Sequence, residues 1–489
     1  MKNGFHMNAK SMVLAVIVIG VLMAAVDTTI VVLALPTIDV SLSTSPLNSI
    51  WIILSYILVL TILSSQVGRL GDRYGRARLY KYGLGVFVLG SALCGLAPNI
   101  SFLNSSRIIQ AIGGALLGTT SAAVLSDHFE PHEHGKAFGY LSIGWSFGAI
   151  LGIFLGGFLS VINWRLIFYI NVPIGLALIP IAIYKLRDVV KPMKEPLDLL
   201  GGVLLGIGLL TLTLTAVFSM FEGITSLEIA LFFVSLLILL AFVLRERRIK
   251  YPTINFSMFS NRIFTFSVIA SMLQSTASFA VLFLLILYLQ GVRGLNAFDA
   301  SIYLIPGYLI GGIVGPLMGR LSDKIGARVP ATLGLAALGF GYFAYATLLG
   351  VNTPLYIISL ITILTGLGTG SFFPANTSAI MANAPKDKYA MASGLNRMLG
   401  NVGMVLSFVI ALTVISSTIP RSTALAIFSG SNIVLPQTQG VSFLQGLDYS
   451  LYASIIVIAL AAIMSLTRGK EDRRSITDAH RDAKLAGKK

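Results

Sequence analysis

Two charged residues stand where charge is costly. Asp27 lies within an apolar run reaching from Ser11 to Leu35, and Arg107 lies within a second run at 102–125. An ionised side chain in the middle of a membrane span costs about 2.5–3.5 kcal/mol on insertion scales, which makes it a functional candidate by default. Burial disfavours the charged form of a carboxyl group, and that suits such a group to taking up and releasing protons. Asp27 is nine residues before Pro36 (36 − 27 = 9), roughly 13 Å from that helix end at 1.5 Å per residue. Arg107 is about six residues, or roughly 9 Å, from the outer end of its own helix. The two charges reach similar depths and could pair. The competing reading is an ion pair that only fixes packing.

A second constellation sits in two loops. Residues 68–75 read Gly68-Arg69-Leu70-Gly71-Asp72-Arg73-Tyr74-Gly75 and continue to Arg76; residues 319–326 read Gly319-Arg320-Leu321-Ser322-Asp323-Lys324-Ile325-Gly326. The offset is 319 − 68 = 251, and it also relates Asp72 to Asp323 and Gly75 to Gly326. Glycines at 68 and 71 allow two helix ends to approach closely. Gly75 suits a turn with positive φ. An aspartate there can accept hydrogen bonds from a neighbouring helix N-terminus and pair with arginine. A third pattern is the four-residue spacing of Gly144, Gly148, Gly152 and Gly156, with Gly157 beside the last, a stripe that lets helices cross closely.

These residues need a scaffold, and the composition says which kind. Of 489 residues 55% are hydrophobic and only 11% charged, whereas soluble domains carry roughly 25% charge. Apolar runs long enough for about 30 Å of hydrocarbon recur along the whole chain. In lipid every backbone polar group needs an internal partner, so such runs are helices. No alternation of period two argues for a barrel. The spans fall near 11–35, 48–67, 80–97, 102–125, 136–160, 165–186, 198–219, 226–244, 264–289, 299–319, 330–349, 353–376, 388–416 and 448–467, fourteen in all. The first is read as a span rather than a cleaved leader, because it runs on past Asp27 and offers no small-residue cleavage site.

The formal charge of +15 raises the question of nucleic acid, but topology accounts for it. With fourteen spans both termini share one side, and 30 of the 35 Lys and Arg then fall in the termini and the even-numbered loops. Only Arg165, Arg293 and Arg421 fall in outward loops. That asymmetry is the positive-inside rule, so the termini are expected in the cytoplasm. The single Cys94 excludes a disulfide framework and a cysteine metal cluster. The acidic and histidine residues of loop 126–135 are too loosely spaced to suggest a metal site, and no Walker-type sequence is present. No cofactor is expected.

The expected organisation is an all-α membrane protein in four parts: an N-terminal six-helix bundle at 11–186, a linker with two extra transmembrane helices at 187–262, a C-terminal six-helix bundle at 263–467 and a basic cytoplasmic tail at 468–489. Two similar halves around a midline cavity is how many transporters alternate access.

The loop at Gly68–Arg78 resembles motif A of the major facilitator superfamily, and other signatures follow in order. Ala25-Val26-Asp27-Thr28-Thr29, continuing to Pro36, resembles the first-helix motif of the fourteen-helix drug:proton antiporter branch. Arg107-Ile108-Ile109-Gln110-Ala111-Ile112-Gly113-Gly114 resembles motif B, while Trp164-Arg165 with Phe168, Asn171, Val172, Pro173 and Gly175 resembles that branch's signature between helices five and six. Ser393-Gly394-Leu395-Asn396-Arg397 followed by Gly400 also fits it. The stripe at Gly148, Gly152, Gly156 and Gly157 resembles motif C, the antiporter signature, except that Ile153 stands where proline is usual. The resemblance therefore supports a transporter more strongly than it supports antiport.

It implies a major facilitator fold in the plasma membrane that works as a monomer, exporting amphipathic, chiefly cationic, compounds in exchange for protons. Asp27 and Arg107 would couple protons. Gly68, Arg69, Gly71, Asp72, Arg73, Gly75, Arg76, Gly319, Arg320, Asp323 and Gly326 would form the cytoplasmic gate. Trp51, Tyr56, Gln110, Gln274, Phe279, Phe372, Phe373 and Asn376 break the apolar pattern on cavity-lining spans and are candidate substrate contacts. Few carboxylates lie in the second half, so a substrate with two positive charges is disfavoured. The alternatives are a narrow-substrate transporter of the same fold, for a metabolite, sugar, lipid or siderophore, and a non-transporting membrane receptor or scaffold.

Overall fold

A computed structural model describes residues 9–44, 46–188, 198–222, 225–249, 256–295, 297–385, 388–418 and 437–469, together with Pro252 and Ile254. The fold is helical throughout these residues. The first group is α1 (Ala9–Ser41), α2 (Pro46–Tyr74), α3 (Arg76–Gly95), α4 (Ile100–His128), α5 (His134–Asn163), the single turn α6 (Leu166–Tyr169) and α7 (Asn171–Lys185). A hairpin of α8 (Leu199–Glu222) and α9 (Ser226–Glu246) follows. The second group is α10 (Arg262–Leu287), α11 (Ala297–Ile325), α12 (Arg328–Leu348), α13 (Leu355–Ala382), α14 (Tyr389–Thr418) and α15 (Gln437–Thr467). Among the described residues eleven helices are long and apolar enough to cross a membrane.

Local chemistry sets several helix ends. Asn99 caps α4 by accepting from Phe102 N, and Asn261 caps α10 by accepting from Ile263 N and Phe264 N. Thr225 and Glu228 form a capping box on α9, satisfying donors that have no partner inside the helix. The expected sixth span is divided: α6 ends at Tyr169, and α7 starts at Asn171. The last expected span, 448–467, begins earlier than its apolar run indicates, because α15 already starts at Gln437; residues 419–436 lie outside the described set.

The 251-residue offset carries through the helices. Added to α2 (46–74) it gives 297–325, the bounds of α11. Contacts between the two groups follow the same symmetry: α2 and α4 pack on α14, and α11 and α13 pack on α5. The α8–α9 hairpin leans on α2 and α14 through α8. On α9 the large apolar residues Phe233 and Leu237 are 59% and 64% exposed, as befits a helix that faces lipid.

The glycine stripe has a definite partner. A Cβ at Gly144 would lie 2.9 Å from the Val18 carbonyl, at Gly148 2.7 Å from Leu22, at Gly152 2.8 Å from Val26 and at Gly156 2.8 Å from Ile30. Both rows advance four residues at a time, so α1 and α5 lie backbone against backbone along their length. Gly157 points elsewhere, with Phe298 of α11 as its nearest neighbour at 3.8 Å.

Candidate functional site

The first site is buried in the first helix group. Asp27 is wholly buried on α1. Its Oδ2 accepts from Arg107 Nη1 at 2.7 Å, and its Oδ1 accepts from Gln110 Nε2 at 2.7 Å and from Asn171 Nδ2 at 3.5 Å. Arg107 also donates through Nε to the Ile52 carbonyl at 3.0 Å and through Nη1 to Gln110 Oε1 at 2.6 Å. Gln110 passes a further hydrogen bond to Ser91 Oγ at 2.8 Å. The guanidinium lies over the Tyr56 ring at 4.2 Å and near the Phe168 ring at 5.8 Å. Five helices thus meet on one carboxylate–guanidinium pair, and aromatic faces exclude other partners. An ion pair so desolvated stands only because its remaining donors and acceptors are satisfied.

The second site is a pair of symmetric clamps on the face where the described chain begins and ends. Asp72, at the end of α2, accepts from Ala390 N at 3.2 Å and Met391 N at 2.9 Å, the first turn of α14. Asp323, at the end of α11, accepts from Gly135 N at 2.8 Å and Lys136 N at 2.9 Å, the first turn of α5. Each carboxylate of one half therefore sits on a helix N-terminus of the other, where exposed N–H groups and the helix dipole favour negative charge. Gly75 and Gly326 take φ of 106° and 86°, which few side chains tolerate, and each ends its helix immediately after the clamp.

The clamps are not identical. Arg76 Nε donates to Asp72 at 2.9 Å and also pairs with Asp127, while its guanidinium lies 5.4 Å from the Tyr389 ring. Arg69 and Arg76 are buried at this clamp, whereas Arg320 is exposed and Arg73 lies 5.1 Å from the Tyr74 ring. Close backbone approaches reinforce both. A Cβ at Gly68 would stand 2.6 Å from the Ala390 carbonyl, and one at Gly71 2.9 Å from Ala390 Cβ. Gly319 meets the Gly135 backbone in the same manner.

The third site is a cavity of about 290 Å³, walled mainly by α10 to α13 and closed by Ser146 of α5 and Met404 of α14. Its polar lining includes Gln274, Ser278 and Thr365 and three tyrosines, Tyr308, Tyr342 and Tyr345. Tyr342 donates to Ser278 Oγ at 2.6 Å, and Gln274 Nε2 donates to the same oxygen at 3.0 Å. Among the described residues, no Asp, Glu, Lys or Arg lines it.

The proposed substrate contacts distribute unevenly over these sites. Gln274 and Phe279 line the cavity. Tyr56 and Gln110 belong instead to the Asp27–Arg107 network. Trp51 and Phe373 are half-buried against a core to which both halves contribute, and Phe372 is buried in the core of the second half. Asn376 donates to the Ser267 carbonyl at 2.9 Å and accepts from Arg468 at 3.1 Å, near the start of α10. These six do not line this cavity. On helices that are apolar on every side, sequence alone does not say which face meets a cavity. The tyrosines were missed, although their spacing carried a signal: Tyr342 and Tyr345 are three residues apart and so share a helix face.

A profile described as the Major Facilitator Superfamily matches residues 17–408. The chain belongs to this family, and it is a membrane transporter rather than an enzyme. Its relatives include the riboflavin transporter RibZ of Clostridioides difficile, 33% identical over 402 residues that cover 82% of this chain and 87% of that one. Multidrug resistance protein 3 of Bacillus subtilis is 29% identical over 406 residues, covering 81% and 78%. The solved structure of the proton:xylose symporter XylE superposes with a TM-score of 0.60 at 13% identity, covering 91% of this chain and 94% of that one, which shows the shared fold.

Proposed function

We propose that the chain is a proton-coupled transporter that moves amphipathic aromatic compounds by alternating access, through fourteen membrane crossings arranged as two six-helix bundles with α8 and α9 inserted between them. The observation that carries this reading is Asp27, a wholly buried carboxylate whose ionic partner Arg107 is itself held by other groups. Protonation of Asp27 removes one bond of that network without freeing the arginine. Such a site can change charge while the bundle stays folded.

The effect of that charge has a route. Asp27 lies on α1, α1 lies backbone to backbone on α5, and α5 is held at its N-terminus by Asp323 of the other half. A shift of α1 on proton exchange therefore bears on a contact between halves. The clamped arrangement corresponds to the state closed at the latch face. We assign that face to the cytoplasm on the positive-inside count, which places both termini inside a plasma-membrane protein that acts as a monomer.

The cavity supports the substrate class. Tyrosine faces suit planar rings, and its hydroxyls offer donors and acceptors without fixed charge. A preference for cations finds no acidic wall residue to support it. A second reading, a narrow transporter for a flavin-like vitamin, is favoured by the identity with RibZ and by the same uncharged, tyrosine-rich wall. Proteoliposomes with an imposed pH gradient test both. Gradient-driven movement of several unrelated aromatic dyes supports the broad reading. Saturable movement of riboflavin alone supports the narrow one. No gradient-driven flux of any compound overturns the proposal.

A further inference from the structure

The edge of α14 that faces the first half runs through Ala390, Gly394, Arg397, Asn401 and Met404, at helical spacings of four and three. Ala390 sits on the Asp72 clamp, and Met404 lines the cavity. Arg397 lies between them, seven residues and roughly 10 Å along the axis from each. Its guanidinium stands 4.8 Å from the Trp145 ring of α5. Across from it is Gly118 of α4, where a Cβ would come 3.0 Å from Nη2, so the guanidinium lies close against the α4 backbone side of this gap. Trp145 adjoins Ser146, which lines the cavity.

What distinguishes this arginine is its lack of a counter-charge. Arg107, also within the membrane, has a carboxylate, an amide and a carbonyl. Arg397 is half-buried, forms no ion pair with any described residue, and its Nε is buried without an acceptor. Asn401, on the same edge one turn closer to the cavity, has its Nδ2 buried without an acceptor too. Two donors without acceptors, on one edge between gate and cavity, are costly unless something else accepts from them. A guanidinium fork matches a carboxylate, and an indole face beside it matches an aromatic ring.

We infer that Arg397 and Trp145 form a subsite on the transport path that takes the charged end of an aromatic monoanion. The inference rests on the transporter reading and adds the sign of the charge: anion over neutral compound, and neutral compound over cation. This reverses the cationic preference expected from sequence.

A matched series tests it. Full-length protein in nanodiscs is dialysed to equilibrium against anthracene-9-carboxylate, 9-(hydroxymethyl)anthracene and 9-(aminomethyl)anthracene, with empty nanodiscs subtracted. The expected order of affinity is acid, alcohol, amine, with the acid at least tenfold tighter than the alcohol. Arg397→Gln is expected to bring acid and alcohol together, and Arg397→Lys to restore part of the difference. An amine that binds wild type as tightly as the acid overturns the inference, without need of any variant. So does an acid preference that survives Arg397→Gln. Gradient-driven flux of the same compounds separates the two levels. Acid preference in binding with no flux defeats the transporter reading and leaves the subsite; flux of all three without acid preference defeats the subsite and leaves the transporter.

Discussion

Replacing the clamp aspartates by asparagine keeps their shape and removes their charge. Each carboxylate accepts two backbone N–H bonds at 2.8–3.2 Å from a helix N-terminus of the other half. Hydrogen bonds to a charged group contribute about 1.5–3 kcal/mol, and a charge at a helix N-terminus adds about 0.3–1 kcal/mol. An asparagine oxygen can still accept one weaker bond. The net loss is about 2–3 kcal/mol per clamp, or roughly a 30- to 140-fold shift toward the open latch face at 1.4 kcal/mol per tenfold. The two carboxylates accept from the N-termini of different helices, α5 and α14, so their effects should add. Asp72→Asn should exceed Asp323→Asn, because Asp72 also holds the buried Arg76. Spin labels at Arg78→Cys and Val329→Cys, two exposed positions on the latch face, report the opening in a Cys94→Ser background. Double electron–electron resonance in nanodiscs is expected to show one short distance for wild type, a minor longer population in each single variant, and a dominant one in the double variant. An unchanged distribution in the double variant would refute the reasoning.

Two further outcomes are expected. At Gly148 an added methyl meets the Leu22 backbone at 2.7 Å, whereas at Gly157 nothing lies closer than 3.8 Å. Gly148→Ala should therefore cost about 1–3 kcal/mol by overpacking, seen as a lower melting temperature in detergent, while Gly157→Ala should be neutral; equal effects would contradict the α1–α5 register. At the base of the hairpin, burial opposes the charge of Asp198, but hydrogen bonds with Arg245, Glu246 and Gly201 N outweigh it and hold its carboxyl well below the ordinary range. A carboxyl so depressed contributes stability above its unfolded pKa of about 3.9 and loses it as pH falls further. Melting temperature should fall below about pH 4 in wild type and fall less in Asp198→Asn, where this charge is already gone.

Much of the site was legible because membrane burial makes a charge conspicuous. Asp27 and Arg107 stood out as charges in apolar runs, and counting 1.5 Å per residue brought them to one depth; the structure pairs them at 2.7 Å. Asp72 and Asp323 were found because a repeat of 251 residues exposes symmetry without any coordinates. What stayed hidden was direction around the helix axis. In water a helix announces its inner face by being polar on the other; a helix in lipid needs no polar face, so Tyr308 on α11 could not be told from a lipid-facing residue, nor Gln110 on α4 from a cavity residue. The missing partner of Arg397 was equally illegible, since an absent neighbour is a property of packing between halves.

The central claim is that Asp27 exchanges the protons that drive transport. Its most direct test is transport by wild type and Asp27→Asn in proteoliposomes, with a pH gradient imposed and then abolished. Asparagine keeps the volume and the bonds from Gln110 but cannot take up a proton. The account expects the variant to equilibrate substrate down its own gradient and to lose accumulation driven by protons, with wild type doing both. Gradient-driven accumulation by Asp27→Asn at the wild-type level would contradict it.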